Sequence, residues 1–140
     1  MRQDSLGSTF LMQNALLASR LSKRVGNHLS VHGISLVEYL VLHYLESSPH
    51  KSMPRIELAE YIGMSASGIT RLLAPMEKVN IVEKETNPRD ARQSLVKLTK
   101  AGQRLLEESS LSLDHIADGL LGNLTKTQLE KMVELYGRLL

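Results

Sequence analysis

Residues 55–74 read RIELAEYIGMSASGITRLLA, and this stretch decides the fold. Ile56, Leu58, Ala59 and Ile62 are expected to form one helical apolar stripe. Gly63 then ends the helix, because it enters the left-handed region without a Cβ penalty. Ser65 is placed to cap a second helix. Ile69, Leu72, Leu73 and Met76 recur at spacings of three, four and seven, and form that helix's expected buried face. Ala59 lies four residues before the turn glycine and Ile69 six after it. Two helices crossing steeply through a short turn need a small residue at their contact and branched residues to fill the angle. The pattern is that of a helix-turn-helix, a motif whose second helix can enter a DNA major groove. An ordinary helical hairpin shares much of it, so the flanking sequence has to decide.

Downstream, the second helix is expected to run from Ser65 to about Val79. Pro75 should bend it or loosen its later half. Asn80 closes it, since Asn tolerates the left-handed cap. Ile81–Thr86 and Ser94–Leu98 have β character, and the charged, turn-rich residues 87–93 lie between them. A strand, loop and strand directly after such a helix make a β-hairpin wing. Thr99 caps a long helix from about Lys100 to Leu121, with Leu105, Leu106, Leu113, Ile116 and Leu120 as its buried candidates. Thr125–Gln128 is a capping box. It opens a last helix with Leu129, Met132, Val133, Tyr136 and Leu140.

Upstream, residues 1–8 are polar and expected to fray. A helix follows from Thr9 to about Leu29, with Phe10, Leu17, Leu21 and Val25 on one side. Gly33 breaks it. Ser35–Glu38 is a second capping box, opening a helix to about Glu46 with Leu36, Leu40, Leu42 and Tyr44 available for burial. Residues 47–50 form a loop, and Pro54 suits the first turn of the next helix. The terminal helices carry more apolar residues than a small winged core needs. They bury against each other within one chain or against a second copy, and reading a DNA palindrome favours the second copy.

The chain has 140 residues, enough for one domain with a sizeable core and a helical extension. It has no cysteine, which excludes disulfides, thiolate chemistry and sulfur-ligated zinc, and fits a cytoplasmic protein. No stretch reads as a signal peptide or a membrane span. The net charge is +2, but residues 51–100 carry a net +3 and the remainder a net −1. The basic part coincides with the helix-turn-helix pattern.

Together these segments resemble the MarR family of winged helix-turn-helix transcriptional regulators. The resemblance is carried by Leu58–Glu60, Gly63–Ser65, Ile69–Leu73, Met76–Lys78, Ile81–Lys84, Asn87–Arg92 and Val96–Gly102. The Asp-x-Arg at Asp90–Arg92 and the Leu-Thr-x-x-Gly at Leu98–Gly102 are its most specific parts. Asn80 stands where the family usually has Gly, and Lys84 where Arg is frequent. The resemblance implies a mostly α fold with a small β-hairpin wing. Residues 1–34 would be an N-terminal dimerisation helix, 35–100 the DNA-binding domain and 101–140 the C-terminal dimerisation helices. It implies a homodimer on a pseudo-palindromic operator in double-stranded DNA, acting as a ligand-responsive repressor or activator, the repressor being preferred, with an effector pocket between the dimer helices and the DNA-binding lobe.

The expected DNA contacts are Ser65, Ala66, Ser67, Thr70 and Arg71 at the exposed start of the recognition helix. Arg71 suits guanine edges and phosphates alike. In the resemblance Arg92 enters the minor groove from the wing, oriented by Asp90. Lys84, Arg89 and Lys97 are candidate phosphate contacts. Arg20 and Arg24, with Tyr39 and His43, could hold a small aromatic or anionic effector; the competing reading is surface charges and core tyrosines. His28 and His32 are four apart, a spacing that can hold a metal on a helix, but Gly33 interrupts it, and no metal or other cofactor is expected. No nucleophile triad, phosphate loop or converging acid pair supports an enzyme. The competing reading is a winged-helix module that binds proteins and holds DNA weakly or not at all.

Overall fold

A computed structural model describes residues 2–140. Its six α-helices and three strands follow the order α1 (Leu6–Leu29), α2 (Leu36–Ser47), β1 (Ser52–Pro54), α3 (Arg55–Ile62), α4 (Ala66–Lys78), β2 (Val82–Asn87), β3 (Asp90–Leu98), α5 (Lys100–Leu120) and α6 (Lys126–Leu139). The mostly helical class with a small β wing holds. No helix among the described residues is long and apolar enough to cross a membrane.

The helix ends follow local chemistry. Ser35 and Glu38 exchange both capping bonds at the start of α2, as do Thr125 and Gln128 at α6. Gly63 (φ 76°) and Asn80 (φ 61°) are left-handed. Each is followed by a residue whose N–H reaches back five positions, Met64 to the Ala59 carbonyl and Ile81 to that of Met76. These paired bonds consume carbonyls that the helix ends leave open.

Several expectations need correction. Residues 6–8 are helical rather than frayed, because the Ser5 hydroxyl accepts from the Ser8 N–H and starts α1 early. The helix α4 does run through Pro75 to Lys78 as expected, with Met76 fully buried just after the proline. The wing sheet has a third strand that the sequence reading missed. β1 pairs with β3 as Met53 opposite Val96, giving the order β1-β3-β2. Its Pro54 is tolerated because β1 lies at the sheet edge. The expected loop over residues 87–93 shrinks to a tight turn at Pro88 and Arg89, with Asn87 opposite Asp90 in the ladder. The Asn87 side chain shortens it by accepting the Arg89 N–H and donating to Gln93 Oε1. Finally, Ile56 is 62% exposed rather than buried.

The core lies where the winged lobe meets the inner ends of α1 and α5. Val25 and Leu29, Val41, Leu42 and Leu45, Leu58, Ile69, Leu73 and Met76, Val82, Val96 and Leu106 all pack there. The helix α2 is buried through Tyr39, Val41, Leu42 and Leu45, while the expected Leu36 and Tyr44 pack at the core's margin. Gly102 fixes how α5 enters the lobe. A Cβ at this position would collide with the Ile81 carbonyl oxygen and the Leu98 side chain. Beside it, Thr99 Oγ1 caps α5 at the Gly102 N–H and donates to the Asn80 carbonyl. The spacing Leu98-Thr99-x-x-Gly102 is therefore a packing requirement: a cap, a tie to the end of α4, and a bare backbone one turn later.

The outer ends of α1 and α6 differ. No residue of α6 is buried. Its contact with α1 is a cleft whose wall holds the Tyr136 hydroxyl donating to Asn14 Oδ1 at 2.6 Å, with the Phe10 ring 6.2 Å from that of Tyr136.

Candidate nucleic-acid interface

The helix α4 presents its first turns to solvent because Ile69, Leu73 and Met76 anchor its other face. Ser65, Ala66, Ser67, Thr70 and Arg71 are all exposed. Ser65 caps the helix by accepting from the Gly68 N–H at 3.1 Å, and lies 3.2 Å from Ser67 Oγ. Thr70 Oγ1 donates to the Ala66 carbonyl at 3.0 Å.

A cleft separates this face of α4 from the wing. It is lined by Ala66, Ile69 and Thr70 on α4, by Arg55 and Ile56 at the start of α3, and by the first residues of β3, including Asp90 and Arg92. Four of the residues expected from the sequence, Ala66, Thr70, Asp90 and Arg92, therefore meet around one concavity. Asp90 accepts the Arg92 backbone N–H at 3.1 Å and lies 3.6 Å from its Nε. The Arg92 side chain is 95% exposed. Such an exposed ion pair adds little stability; it orients the guanidinium.

The other expected cations lie elsewhere. Arg89 and Lys97 line a second cleft on the opposite face of the wing, with Glu85 and His50. Lys97 sits opposite Glu83 in the ladder. Lys84 is exposed on β2.

Arg55 and Ile56 line the α4 cleft although sequence reasoning did not select them. Arg55 Nη1 donates to Glu77 Oε1 at 2.7 Å, bracing α3 against α4. The signal for Ile56 was present. On a helix it falls roughly 110° from the centre of the Leu58, Ala59 and Ile62 stripe.

The effector candidates are only partly gathered. Tyr39 is buried at 8% exposure, with the His43 ring stacked 6.4 Å from it. Burial raises the Tyr39 hydroxyl pKa above its ordinary value, and the charge of Asp114 adds to the rise. Arg20 and Arg24 are exposed on α1, and among the described residues no hydrogen bond or ion pair joins them to either ring. His28 and His32 do not converge: His28 Nδ1 lies 3.0 Å from the Arg24 carbonyl, and His32 Nε2 2.7 Å from Ser112 Oγ.

Residues 32–93 match the MarR family model. The chain is 26% identical over 106 residues to the HTH-type transcriptional regulator YhbI of Bacillus subtilis (strain 168), covering 76% of this chain and 68% of that protein. A MarR family regulator from Rhodococcus sp. RHA1 superposes with a TM-score of 0.86 at 18% identity, over 96% of this chain and 94% of that one. A MarR family regulator from Streptomyces coelicolor in complex with DNA gives 0.83 at 23%, over 99% and 89%. A MarR mutant from E. coli complexed with operator DNA gives 0.80 at 22%, over 98% and 99%. The matched residues 32–93 span α2 and the helix-turn-helix as far as the first residues of β3, and over them the chain is similar to the MarR family.

Proposed function

We propose that the protein is a non-enzymatic, cytoplasmic transcriptional regulator of the MarR type that binds a pseudo-palindromic site in double-stranded DNA as a homodimer. One observation carries this reading: the exposed start of α4 and the wing residues Asp90 and Arg92 line a single cleft. A helix able to enter a major groove and an arginine able to enter the flanking minor groove thus sit on one face. Structures of MarR proteins bound to DNA, in Streptomyces coelicolor and E. coli, lend the reading weight through their fold.

In this reading Ser65, Ala66, Ser67, Thr70 and Arg71 meet the major groove, and Lys84, Arg89 and Lys97 meet phosphates. The homodimer is supported by the outer ends of α1 and α6, where Leu6, Leu11, Leu16, Val133 and Leu139 are more than half exposed. An apolar face of this extent needs a cover. A second copy supplies both that cover and the two-fold axis that a palindrome requires. An aromatic or anionic effector held by Arg20, Arg24, Tyr39 and His43 would release the repressor. It would do so by preferring a dimer with another lobe spacing, and DNA affinity would fall by the difference in its binding energy.

The test is a titration of the full chain against DNA from upstream of its own gene across a salt series. The expected result is a selective site with half-sites about one turn apart and a steep salt slope. Arg92→Ala should weaken that binding by about 1–3 kcal/mol while the circular dichroism spectrum stays unchanged. Weak binding equal on all fragments would overturn the reading in favour of a protein-binding module.

A further inference from the structure

The polar groups around the α4 cleft are largely spent on one another. Ser65 Oγ is the helix cap and Thr70 Oγ1 is bonded to the Ala66 carbonyl. Arg55 is paired with Glu77, Asp90 accepts the Arg92 backbone N–H, and Gln93 Oε1 accepts from Asn87, while the Arg92 guanidinium stays exposed on the wing side. Ser94 Oγ has no partner among the described residues but is shielded from solvent. What remains for a ligand on the helical side is apolar. Ile56 is 62% exposed at the rim. Ala66 offers its methyl, and Thr70, its hydroxyl turned back to the helix, offers Cγ2. The cleft is open and holds about 430 Å³; with α4 in the major groove and Arg92 in the minor groove, the sugar-phosphate strand between the two grooves would pass through it, leaving its helical rim against the major-groove wall.

We infer that Ile56, Ala66 and Thr70 form a methyl-reading lip that selects thymine in the major groove. The inference rests on the DNA-binding reading above and deepens it. Thymine is the base whose major-groove edge carries a methyl group, and small apolar side chains recognise it by contact. The lip joins two helices, so a residue of α3 takes part in a recognition otherwise ascribed to α4. Arg92, across the cleft, supplies charge and position, while the lip supplies base choice.

The experiment removes the methyl from each side in turn. A duplex enriched by the full-length protein from a random pool is resynthesised with deoxyuridine replacing every thymidine, which leaves hydrogen bonding and charge intact. The wild type should bind the uracil duplex about fourfold more weakly for each contacted methyl lost, the scale expected for burying one such group. The double variant Ile56→Ala with Thr70→Ser, which leaves only Ala66 of the lip, should lose most of that difference, with an unchanged salt slope. Thr70→Ser keeps the bond to the Ala66 carbonyl and Ile56 is exposed, so the fold is preserved; its dichroism and thermal midpoint check this. Equal affinity of the wild type for both duplexes would overturn the inference, as would full thymine preference in the double variant. Failure to enrich any duplex would instead bring down the DNA-binding reading, and the inference with it.

Discussion

The winged lobe and the outer terminal helices are built from the same kinds of apolar residue, yet they meet opposite fates. In α4, Ile69, Leu73 and Met76 are at most 2% exposed. In α6, Val133 is 66% exposed and Leu139 67%. Both helices carry apolar residues at helical spacing and both have side-chain caps. The difference is that α4 has α3 and β2 beside it, whereas α6 extends past the lobe. Periodicity shows that a face is made for burial; only the topology decides whether its own chain can bury it.

The largest expected effect strikes the lobe where it has no slack. Gly102→Ala places a methyl against the Ile81 carbonyl, and backbone cannot yield as a flexible side chain can. It should cost more than about 3 kcal/mol in urea denaturation, or prevent folding altogether. A near-neutral result would mean that the α5 junction is looser than its geometry.

A second test addresses the other region. Leu135 and Leu139 line the α1–α6 cleft. Leu135→Lys with Leu139→Lys should raise the dimer dissociation constant at least tenfold, since an unpaired charge is costly to bury. Far-UV dichroism should stay unchanged. Analytical ultracentrifugation reads the outcome, and an unchanged dissociation constant would show that no second copy covers this face.

The smallest expected effect lies at a seam within the lobe. A hydrogen bond from Lys51 holds the Glu46 carboxyl pKa below its ordinary value of 4.5; slight desolvation opposes the shift, and a bond from Gln103 adds to it. A lowered carboxyl pKa contributes stability above the unfolded value, and that contribution is lost as pH falls through the folded one. Glu46→Gln should therefore lower the thermal midpoint slightly at pH 7 and match the wild type well below pH 4.5. A difference that persists at pH 3 would show that the Gln103 and Lys51 contacts act through packing rather than charge.

Local chemistry in the sequence was enough to place most elements and four of the residues that line the α4 cleft. Caps at Ser35, Ser65, Thr99 and Thr125, and left-handed residues at Gly63 and Asn80, depend on neighbours a few positions away, so a linear reading finds them. The exposed start of α4 followed from the opposite face being apolar. The strand β1 escaped because three residues carry no period; it exists through pairing with β3, more than forty positions later. The wing turn tightened because Asn87 bonds across it to Gln93, a choice that composition does not reveal.

What the sequence determined by itself was the winged helix-turn-helix and its basic middle, since both are written in short-range spacing and residue type. What only the tertiary structure decided was which side chains share a cleft. It turned Ile56 outward beside Ala66 and Thr70, drew Asp90 and Arg92 to the same concavity, and sent Arg89 and Lys97 to the opposite face of the wing. The reason is physical. A strand alternates its faces residue by residue, so cations only a few positions apart can serve different surfaces once the register is set.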